Sequence, residues 1–137
     1  MSFFGKQYKK VRAENALEVI GKLNLSEKTV SLITNPDTIS IFSKNDDGTL
    51  QYVVKSGSGA LVLDQNILLA EHRDFTSPDG MDTNVKFGLD GDVLKSHFHL
   101  PDGNVVHMNR YFEGNGMRME IYTKGSPTKA IVYYEVV

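Results

Sequence analysis

Apolar and polar residues alternate with a period of two along most of the chain after Pro36, in short segments that each end at a Gly, Asp, Asn or Pro turn. Such segments, recurring roughly every ten residues, are typical of an antiparallel meander that curls into a barrel or a sandwich. With a less regular N-terminal segment, the pattern predicts about ten strands. They are Lys6–Arg12, Thr38–Lys44, Thr49–Ser56, Ala60–Ile67, Glu71–Thr76, Met81–Leu89, Asp92–Leu100, Val105–Phe112, Met117–Lys124 and Thr128–Val136.

The hydrophobic period changes to that of a helix between the first two strands. The apolar positions are Ala16, Val19, Ile20 and Leu23 in a first helix, and Thr29, Val30, Leu32 and Ile33 in a second. Asn15 and Glu18 resemble a capping box at the start of the first helix, and Ser26 resembles the N-cap of the second. Pro36 ends the second helix, because proline disfavours helical geometry in the preceding residue. We therefore expect a helix-turn-helix over about residues 15–34, lying as a lid across one end of the barrel.

Polar side chains are expected inside the barrel. Pairing two strands across the turn that begins at Pro101 sets Phe98 opposite His107 and Ser96 opposite Asn109. The inner face of the second of these strands would then be Val105, His107, Asn109 and Tyr111. Each buried polar group costs free energy unless a partner, a water or a ligand satisfies it. The pattern therefore predicts a partly hydrated internal cavity that holds a ligand.

Composition narrows the function. The 137 residues suit one domain, and a net charge of −2 with pI near 6.1 gives no basic field for nucleic acid. The chain has no cysteine, and its first residues become polar too early for a secretion signal. His97 and His99 have metal-ligand spacing but no third ligand in the expected pairing, so we expect no metal site. These features predict a soluble, cytoplasmic protein, and we expect a monomer that needs no cofactor.

The order of one strand, two short helices and nine strands resembles the intracellular lipid-binding proteins, the family of the fatty-acid-binding and cellular retinoid-binding proteins. The stretch Tyr8–Asn15 (YKKVRAEN) is similar to the family's N-terminal signature, and Tyr133-Tyr134-Glu135 matches its ending in spacing. The turns at Asp90-Gly91 and Asp102-Gly103 also match. The resemblance implies a single-domain (residues 1–137), ten-stranded up-and-down β-barrel. It also implies an intracellular, non-enzymatic carrier of one long-chain fatty acid or related hydrophobic ligand.

The resemblance also implies where a head group binds. Fatty-acid binders of the family hold the carboxylate with an Arg-x-Tyr near the C-terminus and a second arginine on a nearby strand. Here Tyr134 keeps the tyrosine position, Val132 takes the first arginine position, and the second falls on Asn109. A neutral head group, as in a retinoid, a monoglyceride or an acyl amide, is therefore the alternative. A small barrel enzyme that uses His107 as a base is the alternative from another class.

We expect three sets of ligand contacts. The mouth would contribute Ile20, Leu23, Leu25, Thr29 and Leu32; the inner wall Phe98, Met117, Met119, Ile121 and Val132; and the head-group end Tyr134, Asn109, His107 and Tyr111. The ligand would enter between the second helix and the turns near Gly57 and Phe75. Basic residues near the lid could contact anionic membranes or a nuclear receptor during delivery, in the cytoplasm or the nucleus.

Overall fold

The computed structural model describes residues 3–23, 25, 27–70, 72–76, 82–126 and 128–137, without the side chains of 28, 29, 72–76 and 82. The elements are β1 (Gln7–Glu14), α1 (Ala16–Ile20), α2 (Glu27–Thr34), β2 (Thr38–Lys44), β3 (Leu50–Ser56), β4 (Leu61–Ile67), β5 (His72–Thr76), β6 (Asp82–Asp90), β7 (Val93–His99), β8 (Val105–Glu113), β9 (Gly116–Thr123) and β10 (Ala130–Val136). Ser26, Glu71 and Met81, which the sequence places at element ends, lie outside the described residues, as does the side chain of Phe75.

All ten strands form one antiparallel sheet in the order β4-β3-β2-β1-β10-β9-β8-β7-β6-β5. Apart from β4 and β5, consecutive strands pair with each other, and β1 joins β10, so that the meander curls into a nearly closed barrel. The edges are β4 and β5. Next to them, Leu69 bridges to Phe87, and the Ala70 N–H donates to the Phe87 carbonyl over 2.7 Å. The predicted antiparallel barrel with a helical lid is confirmed.

The pairing of β7 with β8 differs by one residue from the sequence prediction. Phe98 pairs with Val106 and Ser96 with Met108. The reason is the turn: the Leu100 N–H donates to the Asn104 carbonyl over 2.9 Å, which leaves a loop of three residues. Gly103 closes that loop at φ 90°, a conformation that glycine adopts without a steric penalty. A prediction that counts four loop residues turns the wrong face of β8 inwards.

An aromatic cluster fills part of the barrel. The Phe3 ring stacks on Phe112 with centroids 3.9 Å apart, and the Phe42 ring stacks on Tyr52 at 4.7 Å. Tyr8 meets the Phe112 ring edge-on at 5.5 Å. The two helices connect the end of β1 to the start of β2, whereas these rings lie near the opposite ends of those strands. The aromatic cluster therefore closes the end of the barrel farther from the lid.

The helix ends differ in part from the prediction. Asn15 precedes α1 in a left-handed conformation (φ 57°) and makes no side-chain cap, so the predicted capping box is wrong. Its amide instead donates to the Lys129 carbonyl over 3.3 Å. The second helix ends at Thr34, two residues before Pro36, as expected. None of the helices in the described ranges has the length and the apolar character required to cross a bilayer.

Candidate functional site

A cavity of about 410 Å³ lies between the lid and the aromatic cluster. This volume is within the range of about 300–1,000 Å³ usual for small-molecule sites. Its wall is mostly apolar. The residues that line it are Leu25, Ser31, Leu32, Ile33, Asn35, Thr38, Ser40, Tyr52, Val54, Leu61, Val62, Leu63, Gln65, Thr83, Phe87, Phe98, Leu100, Met108, Arg110, Met119 and Tyr134.

Arg110 brings a positive charge to this wall. Its side chain is only 5% exposed, and its guanidinium carbon lies 5.1 Å from the centroid of the Tyr52 ring and 5.6 Å from that of Phe42. Within the described part of the chain, its buried Nη1 has no hydrogen-bond partner. A buried cation with an unused donor is costly unless an anion or another acceptor completes it. Arg110 therefore creates a site for an acceptor at the cavity wall.

Tyr134 supplies a second polar group to the same cavity. Burial raises the pKa of the Tyr134 phenol, the nearby Tyr52 raises it further, and the Arg110 charge lowers it. The raised pKa keeps the phenol protonated at neutral pH, so its O–H can donate a hydrogen bond. Together, Arg110 and Tyr134 can offer one charged and one neutral donor to a carboxylate.

The strand register places these two residues on one inner face. Arg110 pairs with Met119, and Met119 pairs with Val132 on the next strand. Tyr134 lies two residues beyond Val132, so both side chains of β10 point to the same side. The inward-facing residue of β8 at this level is therefore Arg110 and not Asn109, which the sequence had predicted. Val132 is apolar and fully buried.

Of the residues expected to contact a ligand, some line the cavity and others do not. The residues that do line the cavity are Tyr134, Phe98, Met119, Leu25 and Leu32. Four others are buried but are not part of the cavity wall: Val132, Met117, Ile121 and Ile20. Leu23 is partly buried and packs against the core. The side chain of Thr29 lies outside the described part of the chain.

Three residues expected at the head group lie on the outer face of β8, which corrects the sequence reading. Asn109 donates through Nδ2 to the Tyr122 hydroxyl over 3.3 Å, and the His107 ring stacks on Tyr122 with centroids 5.0 Å apart. The Arg118 guanidinium carbon lies 4.5 Å from the Tyr111 ring centroid. The reason is the one-residue change in pairing, which turns Met108 and Arg110 inwards instead.

The same pairing sets His107 directly opposite His97, with ring centroids 6.0 Å apart. The ring centroids of His97 and His99 are 5.5 Å apart. The sequence analysis had expected no third ligand beside His97 and His99. In the ranges that the structure describes, these rings and the nearby carboxylates form no group arranged to hold a metal ion.

The sequence reading missed Arg110, Tyr52, Thr38 and Ser40 as cavity residues. Thr38 and Ser40 are buried on alternate positions of β2 and line the cavity with Val54. The signal that could have found Arg110 is the apolar alternation of Val106, Met108 and Phe112, which share its face of β8. The Asp-Gly pair does not decide the register, because it suits two-residue loops as well as three-residue loops.

No protein-family model and no curated protein sequence matches this chain. Solved structures do match. The chain is similar to a fatty-acid-binding protein from Manduca sexta, with TM-score 0.79, 19% identity, and coverage of 97% of this chain and 98% of that one. It is also similar to the Schistosoma mansoni fatty acid binding protein in complex with arachidonic acid, with TM-score 0.80, 21% identity, and coverage of 99% and 96%.

A third match is fatty-acid-binding protein 1 from Echinococcus granulosus, with TM-score 0.80, 17% identity, and coverage of 100% of this chain and 99% of that one. All three cover nearly the whole of both chains. The identities are low, so the likeness concerns the course of the chain rather than individual site residues. The protein has the fold of the fatty-acid-binding proteins.

Proposed function

We propose that the protein carries one long-chain fatty acid in its internal cavity, with the carboxylate on Arg110 and Tyr134. The observation that supports this most is the buried Nη1 of Arg110, which has no partner in the described part of the chain. A carboxylate supplies the acceptor and the negative charge that this group lacks. The match to a relative solved with arachidonic acid supports the same class of ligand.

The acyl chain would lie along the apolar wall towards the lid. Each methylene removed from water contributes about 0.8 kcal/mol, so a long chain could gain on the order of 10 kcal/mol before the costs of association. The hydrogen bonds of a charged head group add roughly 1.5–3 kcal/mol each. We therefore expect the tail to provide most of the affinity and Arg110 to provide the preference for an acid.

A neutral head group is the weaker alternative. It rested on Asn109 as the inward-facing residue, and Asn109 instead bonds to Tyr122 on the outer face. Catalysis by His107 loses support for the same reason, since its ring stacks on Tyr122 outside the cavity. The proposed role is therefore carriage without a covalent step.

Delivery is the second part of the proposal. Leu61 and Val62 line the cavity at the start of β4 and are exposed. Apolar side chains exposed near a cavity mouth suit transient contact with a membrane or a receiving protein. We propose that a monomer, in the cytoplasm or the nucleus, exchanges lipid through this mouth, between α2 and the start of β4.

The test compares Arg110→Gln with Arg118→Gln, a matched change on the outer face, where Arg118 pairs with Glu113 and Glu120. Titration calorimetry would measure the dissociation constants of oleate and of oleyl alcohol. We expect Arg110→Gln to weaken oleate about ten- to hundredfold, because one charge-assisted bond is lost, and to change oleyl alcohol little. Arg118→Gln should change neither ligand.

Equal losses for the acid and the alcohol would contradict the assignment of the carboxylate to Arg110. Failure of the unmodified protein to bind either ligand would contradict carriage itself. Mass spectrometry of the lipids extracted from gently purified protein would identify the natural ligand independently of these titrations.

A further inference from the structure

Lys10 is a second buried cation, and its position differs from that of Arg110. Its side chain is 6% exposed on the inner face of β1. The ammonium donates to the carbonyls of Leu32, Ile33 and Asn35 over 3.1, 2.5 and 2.8 Å. An ammonium has three donors, so every one of them is used.

These three carbonyls belong to the end of α2. The last carbonyls of a helix have no partner within the helix, and they form the negative end of its dipole. The last turn of α2 has no basic residue of its own. Lys10 therefore provides, from a strand more than twenty residues earlier, the cation that this helix end lacks.

The same helix end forms part of the cavity mouth. Leu32, Ile33 and Asn35, whose carbonyls Lys10 binds, all line the cavity. Ile33 is the only buried side chain among those of α2 that the structure describes. α2 is therefore held on the barrel by the buried Ile33, by the partly buried Val30 and Leu32, and by the Lys10 hydrogen bonds to its C-terminal end.

We propose that Lys10 is a latch that fixes the C-terminal end of α2 over the cavity and thereby sets the rate at which ligand enters and leaves. Burial lowers the pKa of Lys10 to about 8, so at neutral pH the group still carries its proton and all three donors. The residue is a positioning residue, because it acts on the ligand only through the helix.

If Lys10 acts as a latch, its removal should change the mobility of the lid without changing the free energy of unfolding of the whole protein. Lys10→Met removes three hydrogen bonds, which lowers stability, and also removes the cost of burying a charge, which raises stability. We therefore expect Lys10→Met to fold with a similar free energy of unfolding while the end of α2 opens more readily. A residue that merely stabilised the fold would change both quantities together.

The experiment uses the full chain with Lys10→Met, which keeps the length of the side chain and removes its donors. In hydrogen exchange of the ligand-free protein, we expect the amides of residues 31–35 to exchange about tenfold faster than in the unmodified protein. Stopped-flow displacement of the fluorescent cis-parinaric acid by oleate should show about tenfold faster release. This corresponds to an activation free energy of release that is ~1.4 kcal/mol lower. The dissociation constant should change less, because entry accelerates as well.

Lys9→Met is the matched control, since Lys9 is the adjacent lysine on the exposed face of β1, and it should leave both rates unchanged. Lys10→Arg, which keeps a cation with donors, should restore slow exchange in part. Unchanged exchange of residues 31–35 in Lys10→Met would overturn the proposal. If Lys10→Met does not fold, the unmodified protein provides the test. The amides of residues 31–35 must then exchange more slowly than those of Val19 and Gly21 at the end of α1.

The release measurement rests on the proposed function, whereas the exchange of the ligand-free protein does not. If no lipid binds, the carrier proposal fails and the hydrogen-exchange comparison still decides whether Lys10 fixes α2. If lipid binds with equal release rates for Lys10→Met and Lys9→Met, the latch fails and carriage stands.

Discussion

Arg110 and Lys10 are both buried cations on inward-facing positions, yet their surroundings assign them different roles. All three donors of Lys10 are bound to backbone carbonyls of the same chain, whereas Nη1 of Arg110 has no partner in the described ranges. No Asp or Glu among the described residues is buried beside them. This difference is the reason why the carboxylate of the proposed ligand is assigned to Arg110, which can still donate, and not to Lys10.

The lowered pKa of Lys10 leads to a prediction about stability and pH. The folded protein loses this proton near pH 8, and the unfolded chain loses it near the ordinary value of 10.5. Between these values the unfolded state binds more protons, so the free energy of unfolding rises with pH. We expect a rise of about 2 kcal/mol between about pH 7.5 and 9.5 in urea titrations.

Two buried phenols limit this pH window at its upper end. Burial raises the pKa of Tyr8 and of Tyr134, so above about pH 10 the unfolded chain releases their protons first and stability falls. In Lys10→Met the rise below pH 10 should be absent and the fall above it should remain. A rise of equal size in Lys10→Met would assign the effect to another group.

At the scale of elements, alternation in the sequence was sufficient to find the strands and insufficient to pair them. The predicted bounds of β2, Thr38–Lys44, agree with the structure, because hydrophobic alternation and flanking turns mark both ends. The pairing of β7 with β8 depends instead on the conformation of one turn residue, Gly103. A change of one residue in the pairing placed Arg110 instead of Asn109 on the inner face, so the fold was predicted correctly and the inward-facing residues of β8 were not.

Gly103 is therefore the position where a substitution should have the clearest effect on this hairpin. Its φ of 90° strains any residue that has a Cβ, while no other atom lies within 4 Å of a Cβ built there. We expect Gly103→Ala to lower the free energy of unfolding by roughly 1–2 kcal/mol through backbone strain alone. Urea titration would measure this loss.

Gly88→Ala is the control for that substitution, because a Cβ there also meets no atom within 4 Å and its φ is not in the left-handed region. It should leave stability unchanged or slightly raised, since alanine loses less conformational entropy than glycine. A loss in Gly88→Ala as large as that in Gly103→Ala would mean that the conformation of the turn is not the cause.

At the scale of the whole molecule, the barrel is filled at one end and hollow at the other. The alternation pattern could not reveal this division, because inner residues such as Phe42 and Val54 are equally buried and apolar. Only the three-dimensional arrangement shows that Phe42 stacks in the aromatic cluster and Val54 lines the cavity. Whether an inner position can accept a larger side chain therefore depends on whether it borders the cavity.

The position of the cavity predicts opposite results for the same substitution at two buried valines. Val54 lines the cavity, whereas Val106, fully buried on β8, does not. Val54→Phe can place its ring in open space, so we expect stability close to that of the unmodified protein and affinity for oleate reduced at least about tenfold. Val106→Phe must force its ring into packed side chains and should lose roughly 1–3 kcal/mol of stability. Urea titrations and calorimetry on both variants would measure these effects, and equal destabilisation of the two would show that the space beside Val54 cannot hold a ligand.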